Sequence, residues 1–150
     1  MSKSIQHKFF FPHPPEVVWA YLTKPELMEQ WLMPNDFEPF IGFDFQFTTK
    51  PLPDVDFDGI IYCKVLELVR PGRLSYSWKL GPGNGIIVID SIVEWTLVPK
   101  EGGTELLLVH SGFKEGQGVT IVNMMKEGWL KNIHKIATLL NTAYHGTSNA

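Results

Sequence analysis

The sequence contains a single cysteine, Cys63, in 150 residues. One cysteine excludes an internal disulfide bond and a metal centre built from several thiolates. We expect Cys63 to be a small core or surface residue rather than a nucleophile, because no helix start that would stabilise a thiolate lies beside it. A reducing compartment is the simplest interpretation.

Long apolar runs are also missing from the chain. No segment approaches the roughly 20 apolar residues that span a membrane. The first residues, MSKSIQHKFFF, lack the apolar stretch and the small-residue cleavage site of a secretory signal. These absences predict a protein without a membrane span, and we expect it to be cytoplasmic.

The sequence has no excess of positive charge. Its formal net charge is −3, and the Lys and Arg residues are scattered rather than clustered. Nucleic acids and anionic membranes are recognised by basic patches. The charge pattern therefore predicts no nucleic-acid partner.

Motifs for cofactors and metal ions are absent as well. Neither a GxGxxG nucleotide fingerprint nor an HExxH zinc motif occurs, and the glycine cluster at 81–85 lacks the lysine of a phosphate-binding loop. The five histidines show no ligand spacing. We predict no cofactor and no metal site.

What the sequence does contain is a long amphipathic stretch at 118–143. Val122, Trp129, Ile133 and Leu140 fall on one line of a 3.6-residue helical wheel, with charged and polar side chains opposite. A helix of this length runs roughly 35 to 40 Å at ~1.5 Å per residue. Its apolar face needs a sheet to cover it.

The chain before this helix predicts strands separated by turns, with two short helices after the first strand. Alternation of apolar and polar residues, as in Phe45, Gln46 and Phe47, is typical of half-buried strands. Strands joined by tight turns are antiparallel neighbours. Strands are predicted at 4–11, 43–47, 59–69, 73–80, 86–98 and 104–113, and proline-started helices at 15–22 and 25–32.

These elements predict an α+β fold, in which an antiparallel sheet of six or seven strands curves around the C-terminal helix. A chain of this length and composition predicts one domain over 1–150. We expect its core to span about 4–143 and its tail, 145–150, to be frayed.

Three segments of the sequence resemble signatures of the family related to the activator of the heat-shock protein 90 ATPase. They are PPEVVWAYLTKPELMEQWLMP at 14–34, VLELVRPGRLSYSW at 65–78, and GGTELLLVHSGF at 102–113, which a Gly-Trp pair and a leucine-rich helix follow. The resemblance covers roughly residues 5–143. It departs at 42–43, where the family often has a glycine pair, and in the loop at 81–85.

The resemblance implies membership of the helix-grip superfamily, also called SRPBCC or START-like. START lipid-transfer domains, polyketide cyclases and the birch-pollen allergen share this fold. The implied structure is a curved sheet that grips the C-terminal helix, with a hydrophobic cavity between the two. This agrees with the order of elements predicted from periodicity.

Wide aromatic side chains on the predicted inward faces are the candidate ligand site. Rings with polar tips commonly line apolar ligand sites, and they also fill protein cores, so the alternative of a plain core stays open. The candidate ligand-binding residues are Trp31, Phe45, Phe47, Tyr76, Trp78, Trp95, His110, Met125 and Trp129.

Two of these candidates have explicit alternatives. His110 is either a satisfied core histidine or a polar group inside an apolar pocket, able to act as an acid or base. No carboxylate is expected beside it, because Glu94 and Glu105 alternate outward, and this weakens the case for an enzyme. Trp31, which precedes Leu32, either anchors the second short helix or belongs to a lid.

Three functions remain open from the sequence. The first is a module that binds a small hydrophobic ligand, lipid-like or aromatic, in the cavity. The second is an enzyme of the cyclase or hydrolase kind that uses the same cavity. The third is a co-chaperone-type domain that acts on a heat-shock protein 90 ATPase.

The co-chaperones that name the family carry a further N-terminal domain, and we expect that domain to be absent here because the first predicted strand starts close to Met1. We therefore expect no stimulation of a chaperone ATPase by this chain alone. A homodimer is an additional alternative, because Met124 is predicted to be exposed on the helix.

Overall fold

The computed structural model describes residues 2–114, 116 and 118–148. One turn of 3₁₀ helix, Pro53–Val55, interrupts the connection between the second and third strands. The elements in chain order are β1 (Ser2–Phe11), α1 (Pro15–Thr23), α2 (Pro25–Trp31), β2 (Asp44–Thr48), β3 (Ile60–Val69), β4 (Arg73–Leu80), β5 (Ile89–Lys100), β6 (Gly103–Lys114) and α3 (Val119–Ser148). This order confirms the predicted succession of elements.

All six strands form one curved antiparallel sheet in the order β1-β6-β5-β4-β3-β2. Consecutive strands from β2 to β6 are neighbours, and β1 pairs with the last strand. Side chains alternate between the two faces, so that Ser91, Val93 and Trp95 are buried while Ile92 is exposed. The predicted α+β fold with a six- or seven-stranded curved sheet is confirmed.

Proline chemistry separates the two short helices. Lys24 is extended, with φ −110° and ψ 120°, as expected for a residue that precedes a proline. The Trp31 indole N–H donates to the backbone oxygen of Tyr21 at 2.7 Å, so the end of α2 is held against α1. Of the two alternatives for Trp31, this contact favours the anchor.

Helix α3 buries most of the residues that the wheel placed on one line, and Val122 is partly buried. Trp129, Ile133 and Leu140 are each at most 2% exposed. The helix continues through Ser148, beyond the predicted end of the core at 143. The last two residues of the predicted tail lie outside the described residues.

Strand β5 begins later than predicted, at Ile89 rather than at residue 86. Gly83, Asn84 and Gly85 all have positive φ and turn the chain, and the Ile86 N–H bonds back to the Gly83 oxygen. Because this turn extends to Ile86, the alternation of the strand starts only after it.

No helix in the described part of the chain has both the length and the hydropathy needed to cross a membrane.

Candidate functional site

A pocket of about 180 Å³ lies between α3 and the part of the sheet formed by β3 and β4. Its walls also include the connection from β2 to β3 and the two residues that follow α2. The lining residues are Leu32, Met33, Thr49, Leu52, Phe57, Ile61, Trp78, Leu80, Ile121, Met124, Met125, Gly128, Trp129 and Asn132. None of them carries a charge, and only Thr49 and Asn132 have a hydroxyl or amide side chain.

The pocket has a buried aromatic floor and an exposed rim. Trp78 and Trp129 are 3% and 2% exposed, and their ring centroids lie 5.1 Å apart. At the rim, Leu52 and Met124 are 37% and 45% exposed. The two indoles therefore lie behind an open rim formed in part by Leu52 and Met124.

The structure places three of the nine predicted ligand-binding residues around this pocket. Trp78, Met125 and Trp129 line it. The other six lie in the buried core and are not among the lining residues: Trp31, Phe45, Phe47, Tyr76, Trp95 and His110. The aromatic set is thus divided between a pocket wall and the core that supports it.

The core rings beside the pocket pack edge to face. The ring centroids of Trp95 and Trp31 lie 5.8 Å apart, with an angle of 90° between the ring planes. Those of Trp95 and Trp129 lie 5.4 Å apart, with an angle of 83°. Phe45 contacts Tyr76 in the same way at 5.3 Å. Such contacts stabilise ring pairs beyond the area they bury, so the positions of the pocket indoles are well determined.

The polar tips of most core rings are paired within the core. The Trp95 indole N–H donates to the Tyr76 hydroxyl at 3.0 Å. Burial raises the pKa of the Tyr76 hydroxyl, so this group stays protonated. The Trp95 donor is therefore satisfied within the core without any ligand.

His110 lies at the centre of a chain of hydrogen bonds that joins α3 to the sheet. The Trp129 indole N–H donates to Nδ1 of His110 at 2.9 Å. On the other side of the ring, Nε2 lies 2.8 Å from Oγ of Ser91, which donates to the backbone oxygen of Trp78 at 2.9 Å. All three side chains are buried.

This chain of hydrogen bonds determines the tautomer of the His110 ring. An indole N–H can only donate, so Nδ1 must accept and the ring proton sits on Nε2. Nε2–H then donates to Ser91, whose own hydroxyl proton is directed at Trp78. Burial lowers the pKa of His110 to about 3, so the ring is neutral at ordinary pH.

Because Nε2–H of His110 donates to Ser91, the two residues do not form a nucleophile–base pair. A general base must offer a free nitrogen lone pair to the serine hydroxyl. Here Nε2 carries the proton, and Ser91 is only 2% exposed. The geometry is that of a satisfied structural histidine.

The indole N–H of Trp78 differs from those of Trp31, Trp95 and Trp129. This group is buried and has no hydrogen-bond partner in the described part of the chain. Trp31, Trp95 and Trp129 all donate their indole protons within the core. An unpaired buried donor costs roughly 1 to 3 kcal/mol, and Trp78 borders the pocket.

No cluster of three or more metal-ligating side chains exists among the residues the structure describes. Cys63 is buried on β3, and burial, followed by the nearby charge of Asp36, raises the pKa of its thiol well above the ordinary value. A protonated buried thiol is a poor nucleophile. These side chains supply no obvious catalytic centre.

Several lining residues escaped the sequence analysis. Leu52 and Phe57 belong to the connection at 50–59, which has no periodicity that would assign them to a face. Gly128 offered a usable signal, because glycine in a helix interior costs about 1 kcal/mol relative to alanine and usually has a packing or functional reason. Here it widens the pocket beside Trp129.

The family model described as Activator of Hsp90 ATPase homolog 1-like protein matches residues 12–141. The chain belongs to this family. Its membership confirms the resemblance carried by the three sequence signatures. None of the curated proteins matches the sequence.

Solved structures agree with this family and with the helix-grip fold. Protein MLL2253 from Mesorhizobium loti is 32% identical, with a TM-score of 0.82, and the match covers 93% of this chain and 98% of that one. Protein BH1534 from Bacillus halodurans is 25% identical, with a TM-score of 0.71, over 91% of this chain and 95% of that one. Protein NE0264 from Nitrosomonas europaea is 21% identical, with a TM-score of 0.74, and the match covers 93% of this chain and 95% of that one. This likeness concerns the fold alone.

Proposed function

We propose that this protein binds a small hydrophobic molecule in the pocket between α3 and strands β3 and β4. The observation that carries the proposal is the pocket itself: about 180 Å³ with fourteen lining residues, none of them charged. Burial of an apolar ligand there is favourable by about 25 cal/mol per Å² of apolar surface removed from water. The family and its fold are consistent with a ligand-binding domain.

The size of the pocket favours a compact ligand. An apolar cavity of about 150 Å³ is large enough to hold benzene, whereas pockets for drug-sized ligands begin at about 300 Å³. One aromatic ring with a small substituent matches this volume. A longer lipid-like ligand would extend past the exposed rim at Leu52 and Met124 into solvent.

Three methionines in the wall suit such a role. Met33, Met124 and Met125 all line the pocket. Methionine side chains are flexible and polarizable, and they adapt to ligands of different shape. We infer a pocket that accepts a class of related compounds rather than one rigid shape.

The Ser91–His110 geometry supports a binding role over a hydrolytic one. His110 donates to Ser91 rather than accepting from it, and neither residue lines the pocket. The buried polar chain instead holds Trp129 in position as part of the wall.

Binding can be tested by tryptophan fluorescence, because Trp78 and Trp129 lie in the wall. We expect saturable quenching or enhancement with single-ring and two-ring apolar compounds. A panel should also contain fatty acids, flavonoids and larger polycyclic compounds to measure the size limit.

Gly128→Leu is the variant that blocks the pocket. A Cβ at Gly128 meets nothing within 4 Å, so a leucine side chain has room to enter, and leucine favours the helix over glycine. We expect this variant to fold and to lose binding. Lys131→Leu, which adds the same side chain at an exposed position of α3, is the matched control and should bind normally.

Two results would contradict the proposal. One is saturable binding that persists at unchanged affinity in Gly128→Leu. The other is a complete lack of binding across the panel. Native mass spectrometry of protein purified from its own host would then identify the class of any retained molecule.

A further inference from the structure

The side of α3 that faces the pocket carries an amide side chain among apolar ones. Six residues of the helix line the pocket, and their spacing of three or four residues places them on one face. They are Ile121, Met124, Met125, Gly128, Trp129 and Asn132. Asparagine is a weaker helix former than leucine and buries less apolar area, so packing alone does not account for Asn132 on this face.

The amide of Asn132 has no hydrogen-bond partner in the described part of the chain. Asn132 is half-buried, and both polar atoms of its amide remain accessible. By contrast, Nδ2 of Asn35 donates to the backbone oxygen of Met33 at 3.0 Å. The Asn132 amide also differs from the indole N–H of Trp78, which is fully buried. It is therefore free to pair with a molecule in the pocket.

The geometry of the helix directs this amide towards Gly128. Cα–Cβ bonds in an α-helix tilt towards the N-terminus, and residues four apart lie one above the other on the same face. The side chain of Asn132 therefore leans over the turn that contains Gly128. A Cβ at Gly128 would meet nothing within 4 Å, so the space between the two residues is open. We call this space the Gly128 notch.

We propose that Asn132 selects the ligand by hydrogen-bonding a hydroxyl group in the Gly128 notch, while an apolar ring of the same molecule packs on Trp129. The inference rests on the proposed function, because it concerns the same pocket. It goes further in naming the polar group of the ligand and the residue that recognises it.

The chemistry of the amide and of the wall favours a neutral hydroxyl. A carboxamide has two N–H donors and an acceptor oxygen, and a hydroxyl can both accept from the one and donate to the other. None of the lining residues is charged, so a carboxylate in the notch would lose water without gaining an opposite charge. The implied ligand class is therefore a phenol or a compact alcohol with one ring.

Three compounds built on the same methyl-substituted ring test this assignment. p-Cresol carries the hydroxyl and is neutral at pH 7, p-xylene replaces it by a methyl group, and p-toluate replaces it by a carboxylate. Affinities are to be measured by calorimetry for wild type and for Asn132→Leu, which is similar in size but has no polar atom. Asn123→Leu, at an exposed position of α3 outside the pocket, is the matched control. Thr49→Val removes the hydroxyl from the opposite wall.

The ratio of two affinities removes the general difference in hydrophobicity between the variants. We expect Asn132→Leu to reduce the preference for p-cresol over p-xylene by roughly fivefold, because a hydrogen bond between neutral groups is lost. Asn123→Leu and Thr49→Val should leave this ratio unchanged. p-Toluate should bind to wild type roughly tenfold more weakly than p-cresol does. Circular dichroism checks that each variant is folded.

A nuclear magnetic resonance measurement on wild type keeps the test valid if Asn132→Leu does not fold. The side-chain NH₂ signals of Asn132 should shift when p-cresol is added and much less when p-xylene is added. The NH₂ signals of Asn123 should respond to neither compound.

The outcomes distinguish the two proposals. If p-cresol and p-xylene bind, but their ratio is the same in Asn132→Leu as in wild type, the role of Asn132 is wrong while the binding function stands. The same holds if Thr49→Val alone lowers the ratio, or if the Asn132 signals do not respond to the hydroxyl. If p-toluate binds as tightly as p-cresol, the choice of a neutral hydroxyl is wrong. If none of the compounds binds and the wider panel also fails, both proposals are overturned.

Discussion

The Trp129 indole N–H donates to Nδ1 of His110 across 2.9 Å, and this bond joins the long helix to strand β6 of the sheet. Because it leaves the ring proton on Nε2, it also determines the direction of the bond to Ser91. The histidine is buried, neutral and paired on both sides. Its role in this fold is to hold the wall of the pocket.

We expect the free energy of unfolding to fall as the pH drops below about 6.5. In the unfolded chain the imidazole takes up a proton at its ordinary pKa near 6.5, whereas burial lowers the pKa of His110 to about 3 in the folded chain. The unfolded state therefore binds one more proton between these values. The stability that is linked to the neutral, buried His110 is fully present above pH 6.5. Between pH 6.5 and pH 3 it falls by about 1.4 kcal/mol per pH unit.

Urea unfolding at several pH values measures this slope. His110→Gln removes the titrating group and should be less stable near neutral pH, but it should also flatten the slope relative to wild type. Equal slopes in wild type and His110→Gln would show that His110 is not the responsible group.

Replacement of Ile133 by aspartate should unfold the domain. Ile133 is 0% exposed on the face of α3 that packs on the sheet, and an unpaired buried charge costs several kcal/mol of a total stability of about 5 to 15 kcal/mol. Leu130→Asp, at a position 44% exposed on the same helix, is the control and should remain folded. Circular dichroism during thermal unfolding checks both variants, and an equally stable Ile133→Asp protein would contradict the packing of α3.

The fold could be predicted from the sequence because its elements have strong periodicity. Helix α3 shows a continuous apolar line, and strands such as β5 show alternation over most of their length. Where periodicity stopped, prediction was less accurate. The sequence pattern places the start of strand β5 too early, because Ile86 is apolar but belongs to a glycine-rich turn.

The pocket could be predicted only in part. The inward direction of a side chain follows from the period of its strand or helix and is visible in the sequence, so the pattern identifies Trp78 on β4 and Trp129 on α3. Whether an inward ring fills the core or borders a pocket depends on how neighbouring rings pack against it. Trp31 and Trp95, for example, pack with their ring centroids 5.8 Å apart. That depends on three-dimensional packing, which no linear pattern records.

Cys63 should be unreactive in the folded protein. It is 5% exposed, and burial raises the pKa of its thiol well above the ordinary value, so little thiolate is present at pH 8. A disulfide reagent such as dithionitrobenzoate should react slowly in buffer and rapidly in 6 M guanidinium. Because the chain has a single cysteine, the colour yield reports this residue alone. Fast reaction with the native protein would place the thiol at the surface.

Gly59 lies at the end of the connection between β2 and β3, and this connection forms part of the pocket wall. It has φ +89°, and a Cβ there would lie 2.5 Å from the backbone oxygen of Thr49. The Thr49 N–H bonds to the Gly59 oxygen at 2.8 Å, so the two backbones cannot separate without breaking this contact. Gly85 has a similar φ of +78° but nothing within 4 Å of its Cβ position.

Gly59→Ala should therefore destabilise the protein more than Gly85→Ala does. Both variants incur about 1 to 2 kcal/mol from the left-handed backbone, and only the first adds a clash with main-chain atoms. Because Thr49, Leu52 and Phe57 line the pocket, Gly59→Ala should also weaken ligand binding, whereas Gly85→Ala should bind as wild type does. Urea unfolding and the fluorescence titration measure the two effects on the same samples. Equal loss of stability in both variants, with unchanged binding, would mean that the close approach of Gly59 to Thr49 does not hold this wall in place.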